Sequence, residues 1–140
     1  MGCDIHMHVE VKINDKWEHY DQPRIPRNYK LFERMAGVRG EVENAICPPR
    51  GLPTDISAMT KFCSDFWDSD GHSHSWLNAQ EISELTEWGE ENLEGRFGKW
   101  DMEFSWHSYL FGNSYAGFVE YPEERPKGLE DVRFVFWFDN

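Results

Sequence analysis

Hydrophobic and polar residues alternate without a break over residues 3–13. Ile5, Met7, Val9, Val11 and Ile13 fall on one side, and Asp4, His6, His8, Glu10 and Lys12 on the other. A period of two is that of a β-strand with one face on a core. Asn14-Asp15 predicts a tight turn into a second strand carrying Trp17 and Tyr20, followed by a loop broken by Pro23 and Pro26. The alternation returns near the end of the chain, where Val132, Phe134, Phe136 and Phe138 interleave with Arg133, Val135, Trp137 and Asp139 as a further strand.

The middle of the chain follows the helical period. Asn28 is placed to cap a short helix whose Tyr29, Phe32, Met35 and Ala36 share one face, and Gly37 is placed to end it. Residues 38–54 hold Gly40, Pro48, Pro49, Gly51 and Pro53 and read as a long loop. Thr54 then predicts the cap of a second helix bearing Ile56, Met59, Phe62 and Cys63. Asp68-Ser69-Asp70-Gly71-His72-Ser73-His74-Ser75 reads as a polar connecting loop between Trp67 and Trp76. Asn78 and Glu81 have capping-box spacing and open a third helix through Ile82, Leu85 and Leu93, ended near Gly95, with a densely acidic outer face. Residues 99–111 suit a helix through Trp100, Phe104, His107 and Phe111, or a strand through Met102, Phe104, Trp106 and Leu110; the helix is the preferred reading. These elements predict an α+β fold: a small antiparallel sheet of N-terminal hairpin plus C-terminal strand, with several short helices on its apolar face. The polar face of the first strand is left free for chemistry.

Composition narrows the class. With 140 residues the chain is read as a single domain, 1–140, and 39% hydrophobic with 16% aromatic residues is too apolar for a disordered acidic chain. Nothing approaches the roughly 18 uninterrupted apolar residues of a membrane helix. Residues 1–20 lack the basic and apolar regions of a secretory leader. His6 stands where a myristoylation signal needs Ser or Thr. A cytoplasmic protein without a membrane partner is the expectation, and Cys3, Cys47 and Cys63, without a C-x-x-C pair, read as reduced thiols. The formal charge of −12 disfavours long nucleic acid, whose phosphates must be neutralised. The charge is uneven: Arg24, Arg27, Lys30, Arg34, Arg39 and Arg50 face Glu33, Glu41 and Glu43 between residues 24 and 50, a local +3. Eleven acids face only Arg96 and Lys99 between residues 64 and 104. A small anion would choose the first region.

Histidine carries the chemical lead. Four of the six histidines form two His-x-His pairs, His6/His8 and His72/His74, each with an aspartate two residues before, Asp4 and Asp70. On a strand, residues i and i+2 point the same way about 6–7 Å apart, so two imidazoles can converge on one ion. Neutral imidazole and carboxylate are the donors of Zn, Mn and Fe sites. Asp4, His6, His8, Asp70, His72 and His74 are therefore the candidate ligands of a divalent transition metal. If the second cluster folds over the strand, the four histidines become the catalytic set of a metal-dependent phosphodiesterase, or related hydrolase, acting on a small nucleotide. Arg27 and Arg50 sit in loops where guanidinium forks can grip phosphate, and Tyr29 and Trp76 can stack on a base. The plainer reading gives the same histidines ordinary polar-surface and turn roles, and assigns His19 and His107 to structure. A non-catalytic protein that sequesters a nucleotide-derived signal is the alternative function. A third is an acidic inhibitor of a host protein acting through residues 81–94. A homo-oligomer is left open. No P-loop, Gly-x-Gly-x-x-Gly or Gly-x-Ser-x-Gly motif is present.

The chain also carries Met1-Gly2-Cys3-Asp4-Ile5-His6, Arg27-Asn28-Tyr29, Met35-Ala36-Gly37-Val38-Arg39, Pro49-Arg50-Gly51-Leu52-Pro53, Ser69 to Leu77, and a terminal Val135-Phe136-Trp137-Phe138-Asp139-Asn140. In these it resembles a family of short bacteriophage and prophage proteins beginning Met-Gly-Cys-Asp-Ile-His. The resemblance brings no catalytic residues. It implies an accessory protein in an infected bacterial cytoplasm, of the kind that counters host defence by destroying or sequestering nucleotide second messengers. The Asp-x-His-x-His start is locally similar to the first metal motif of amidohydrolases and PHP-type phosphoesterases, whose barrels a chain of this length cannot build.

Overall fold

A computed structural model describes residues 2–25, 27–93 and 128–140. The long alternating segment forms β1 (Asp4–Ile13), and Asn14 and Asp15, both left-handed at φ 53° and 61°, turn it into β2 (Lys16–Asp21). Two successive positive φ values match the right-handed twist of the flanking strands, which is why an Asn-Asp pair works here. Helix α1 (Tyr29–Ala36) starts where Asn28 accepts a hydrogen bond from the Leu31 amide and stops at Gly37, left-handed at φ 77°. A Cβ on Gly37 would lie 2.6 Å from the Val42 backbone, so both the conformation and the contact require glycine. Helix α2 (Ala58–Trp67), strand β3 (His72–Leu77), helix α3 (Ala79–Asn92) and strand β4 (Leu129–Asp139) follow, with short 3₁₀ turns at Val42–Asn44 and Asp68–Asp70. The predicted capping box of α3 is present in both directions between Asn78 and Glu81.

The result is the predicted α+β fold with one strand more than expected: a four-stranded antiparallel sheet in the order β2-β1-β4-β3. Residues 72–75, the second half of the segment read as a loop, instead form a strand with Trp76 and Leu77 that pairs with β4, Trp76 opposite Val135 and Leu77 opposite Phe134. This segment has no apolar alternation of its own. Its pairing comes from the edge offered by β4, and only its last residues, Ser75 and Leu77, are fully buried.

On one face of the sheet, Ile5, Met7, Val9 and Val11 of β1 and Val132, Phe134, Phe136 and Phe138 of β4 form a continuous core with Leu31, Phe32 and Met35 of α1 and Ile82 and Leu85 of α3. The opposite face was expected to be free; it is largely covered at the central strands. His8 and Glu10 of β1 and Arg133, Val135 and Trp137 of β4 are all buried. The signal for this second buried face is in β4, whose run from Val132 to Phe138 is apolar at nearly every position, as in strands covered on both sides.

Helix α2 lies on that second face, and inverted relative to its hydrophobic pattern. It begins at Ser57 rather than Thr54, because Asp55 is held by Arg133 and the Ser57 amide donates to the Glu10 carboxylate. Ser57, Thr60 and Ser64 face inward, while Met59 and Phe62, read from the sequence as part of the helix's apolar set, are exposed, as is Phe66. No helix among the described residues is long and apolar enough to cross a membrane. The ambiguous segment 99–111, with His107, and the predicted helix stop at Gly95 lie outside the described residues.

Candidate functional site

The sheet sets the positions of the histidines. His6 and His8 project from β1 onto the second face, with His6 opposite Trp137 and His8 opposite Val135 in β4. The Trp137 indole stacks on His8, ring centroids 5.0 Å apart and nearly parallel at 16°. From the other side His74 of β3 stacks on the same indole at 5.9 Å, and His6 lies 6.2 Å away. Trp67, at the end of α2, closes over His6 at 4.1 Å. Three of the four predicted catalytic imidazoles are thus brought together, around an indole that fills the space between them.

The fourth is not. Ser73 is left-handed at φ 56°, and the pairing with β4 slips between His72 and Ser75. This bulge breaks the i, i+2 rule, so His74 meets Trp137 while His72 packs near Phe138 and its Nε2 pairs with Asn140 Oδ1 at 3.1 Å. The predicted metal ligands divide further. Asp4 is engaged by Arg27 through two hydrogen bonds of 3.0 Å, the main cause of its lowered pKa, and Asp70 sits in a short 3₁₀ turn. Among the described residues, no group of three or more His, Cys, Asp or Glu is arranged to hold a metal ion.

Burial favours the neutral form of His8, of its neighbour His19 and of His74. Burial pushes the pKa of His8 down to about 4; neighbouring His19 adds to the shift and Glu10 opposes it. His8 Nδ1 lies 2.9 Å from His19 Nε2, so one proton is shared between them. Burial also lowers the pKa of His19 and of His74. Gly71 packs its backbone against this array, where a Cβ would come within 3.3 Å of the Trp137 ring and 3.4 Å of His74 Nε2. The rings pack around the indole; His8 Nε2 and Trp137 Nε1 are buried there without a hydrogen-bond partner among the described residues, and His6 Nε2 lies 3.5 Å from Asp139.

Further along the same face the two central strands carry a buried ion pair. Glu10 and Arg133 are in register, and the Arg133 guanidinium reaches the Glu10 carboxylate through Nε at 2.8 Å and Nη2 at 2.6 Å. Its Nη1 engages Asp55 at 2.8 Å, and its plane lies 4.0 Å from the ring of Trp17. Beyond it opens a cleft of about 570 Å³ between Trp17 of β2 and Trp76 of β3, walled also by the loop 50–55, by Asp131 and Val132 at the start of β4, and by Asn78. Trp76 too carries a guanidinium, that of Arg50 at 3.8 Å. Arg50 is oriented by Nε and Nη2 bonds to the Trp76 carbonyl and by an Nη2 bond to Glu81, which leaves Nη1 without a protein partner among the described residues. The backbone of the 50–51 loop is fixed along β3, the Gly51 amide donating to the His74 carbonyl.

Of the four predicted ligand-binding residues, Arg50 and Trp76 meet in this cleft. Arg27 and Tyr29 do not. They lie with Asp4 at the other end of the sheet, roughly 26 Å away by strand length from Asp131 to Asp139. There Arg27 holds Asp4, and Tyr29 accepts a hydrogen bond from the Cys3 amide through its hydroxyl while Arg39 covers its ring. Sequence reasoning missed Trp17, Asp55, Glu10 and Arg133. The signal available was a single Arg inside the apolar run of β4 and a Glu on an alternating strand, two charges of opposite sign that can only coexist in a core as a pair. No protein-family model, curated protein or solved structure matches the chain.

Proposed function

We propose that the chain is a non-catalytic binding protein for a small nucleotide-derived ligand, held in the cleft between Trp17 and Trp76. The observation that carries this reading is the pair of tryptophan–guanidinium stacks, Arg50 on Trp76 and Arg133 on Trp17, set on opposite walls of one cavity of about 570 Å³. The size lies within the usual range for small-molecule sites, and aromatic walls with few, fixed polar groups are what planar heterocycles require. A base inserts along the indoles, and a phosphoryl oxygen addresses the open Nη1 of Arg50. Arg133 is neutralised by Glu10 and Asp55 and Arg50 by Glu81, with Asp131 also in the wall, which favours a ligand that brings a base as well as a phosphate over a bare polyanion. The cleft is lined within one chain, so ligand binding does not depend on a homo-oligomer.

The reading gives no step to a Zn, Mn or Fe ion, because Asp4 is occupied by Arg27, His72 and His74 diverge, and Trp137 fills the space among His6, His8 and His74. In the infected bacterial cytoplasm that the phage resemblance implies, a protein of this kind withholds a nucleotide signal from its receptor. Titration with AMP, GMP and cyclic di-AMP, followed by tryptophan fluorescence, tests it. Saturable quenching is expected with at least one of them. Trp76→Ala should weaken that binding about tenfold or more, the usual worth of one base–aromatic stack. Trp88→Phe on α3, away from the cleft, should leave it unchanged. Quenching that persists unaltered in Trp76→Ala, or none with any of the three, would remove the cleft from consideration.

A further inference from the structure

On the reading that the cleft between Trp17 and Trp76 holds a nucleotide, we infer that the base it takes is guanine, and that Asp131 reads the N1–H and 2-amino edge of that base. Two acids stand in the cleft wall, Asp55 and Asp131, and their surroundings differ. Asp55 is spent on Arg133, whose Nη1 holds its Oδ1 at 2.8 Å. Asp131 forms no ion pair among the described residues, although basic residues flank it. Lys12 of β1 is its register partner, and Arg133 follows two residues along β4 on the same face. Each is committed elsewhere. Lys12 Nζ pairs with Asp15 at 3.4 Å, while Arg133 directs Nε and Nη2 to Glu10 and Nη1 to Asp55. Arg50, also in the cleft wall, pairs with Glu81. Asp131 keeps the Val132 amide, which donates to Oδ1 at 2.8 Å. Its Oδ2 has no protein partner among the described residues, and Oδ1 retains a second lone pair.

An open carboxylate selects among bases by hydrogen-bond polarity. It only accepts, so the edge that fits it presents donors. Guanine offers two neighbouring donors, N1–H and the 2-amino group, which meet the two oxygens of one carboxylate. The other common bases turn an acceptor toward it. Adenine sets the N1 lone pair beside its amino group, cytosine sets N3 there, and uracil flanks its one N–H with two carbonyls. A site built around a hydrogen-bonding group rejects ligands that leave that group unpaired. The remaining atom of the guanine edge, O6, requires a donor. Asn78 lines the same cleft; its Oδ1 is held by the Glu81 amide at 2.9 Å, and its Nδ2 is without a protein partner among the described residues. Arg50 Nη1 stays with the phosphate, so base choice and phosphate binding rest on different side chains.

Titration of the whole chain with GMP, AMP and IMP, followed by tryptophan fluorescence, separates base choice from binding itself. GMP is expected to bind about tenfold or more tightly than AMP, the discrimination that one bidentate base contact gives. IMP keeps N1–H but lacks the 2-amino group and should fall between them. Asp131→Asn, at a half-buried position, should bring GMP to the level of AMP and leave AMP within about twofold. The same variant should gain affinity for XMP, whose C2 oxygen accepts from the new amide; a damaged fold cannot produce that gain. AMP or IMP binding as tightly as GMP, or a GMP preference unchanged in Asp131→Asn, would overturn the choice of guanine while Trp76-dependent binding kept the cleft. Binding of none of the three, or binding insensitive to Trp76→Ala, would remove the cleft and guanine selection together.

Discussion

Arg133→Met is expected to lower the stability of the fold by about 3–5 kcal/mol, the usual result of removing one member of a buried ion pair. Arg133 is 3% exposed and Glu10 is fully buried. Burial alone would raise the pKa of Glu10. Hydrogen bonds from Ser57, Thr60 and Arg133 outweigh it and hold the pKa below the ordinary value, so the group is a carboxylate in the folded state. Methionine matches the length of the arginine stem but supplies no donor. The Glu10 carboxylate would keep its Ser57 amide and lose both guanidinium bonds in a site that excludes water. Asp55 and Trp17 would lose their anchor at the same time, so the wall of the cleft would loosen. Urea unfolding measures the effect as a lower midpoint. The double substitution Glu10→Leu with Arg133→Met should recover much of the loss, because it removes both charges together. If Arg133→Met alone unfolds with the unsubstituted chain, the pair contributes nothing. The linkage has a definite sign: the depressed Glu10 pKa contributes stability that is present above the unfolded value near 4.5 and is lost as pH falls through the lower folded value.

The second large effect comes at milder acidity. His8 has a folded pKa of about 4 against an ordinary 6.5. Between those values the unfolded chain binds a proton at this position and the folded chain does not. Stability is therefore complete above pH 6.5 and declines as pH falls toward 4, by on the order of 3 kcal/mol from this one group. His19 and His74, also depressed by burial, act in the same direction. Unfolding midpoints at pH 7 and pH 5 should show the decline, and His8→Gln should flatten it, since glutamine keeps a donor and an acceptor but does not titrate. An imidazole resonance of His8 that titrates near 6.5 in the folded protein would contradict the assignment.

Both effects arise on the face that the sequence pattern left open. The alternation of β1, the Asn14-Asp15 turn, the Asn28 cap and the Asn78/Glu81 box are written locally, each in residues that touch one another, and each could be read before any tertiary contact was known. The other features depend on partners far away in the chain. Strand β3 exists because β4 offers it an edge; nothing in His-Ser-His-Ser favours a strand over a loop. The orientation of α2 is set by Glu10 drawing in the Ser57 amide, against the hydrophobic pattern of the helix. The i, i+2 spacing of His72 and His74 gives no sign of Ser73, whose left-handed backbone sends the two imidazoles to different surroundings. Arg50 and Trp76 were legible as candidates because an arginine in a Pro/Gly loop and a tryptophan beside a polar segment stand out. Their meeting, and the matching stack of Arg133 on Trp17, required the sheet order.

The central claim is that the cleft holds a nucleotide-derived ligand without altering it. The direct measurement is to incubate the protein with AMP, GMP and cyclic di-AMP, separate the bound fraction, denature it, and identify what is released. Release of the unchanged ligand, lost in Trp76→Ala, is the predicted result. Release of a cleaved product, or no retained nucleotide at all, would contradict it.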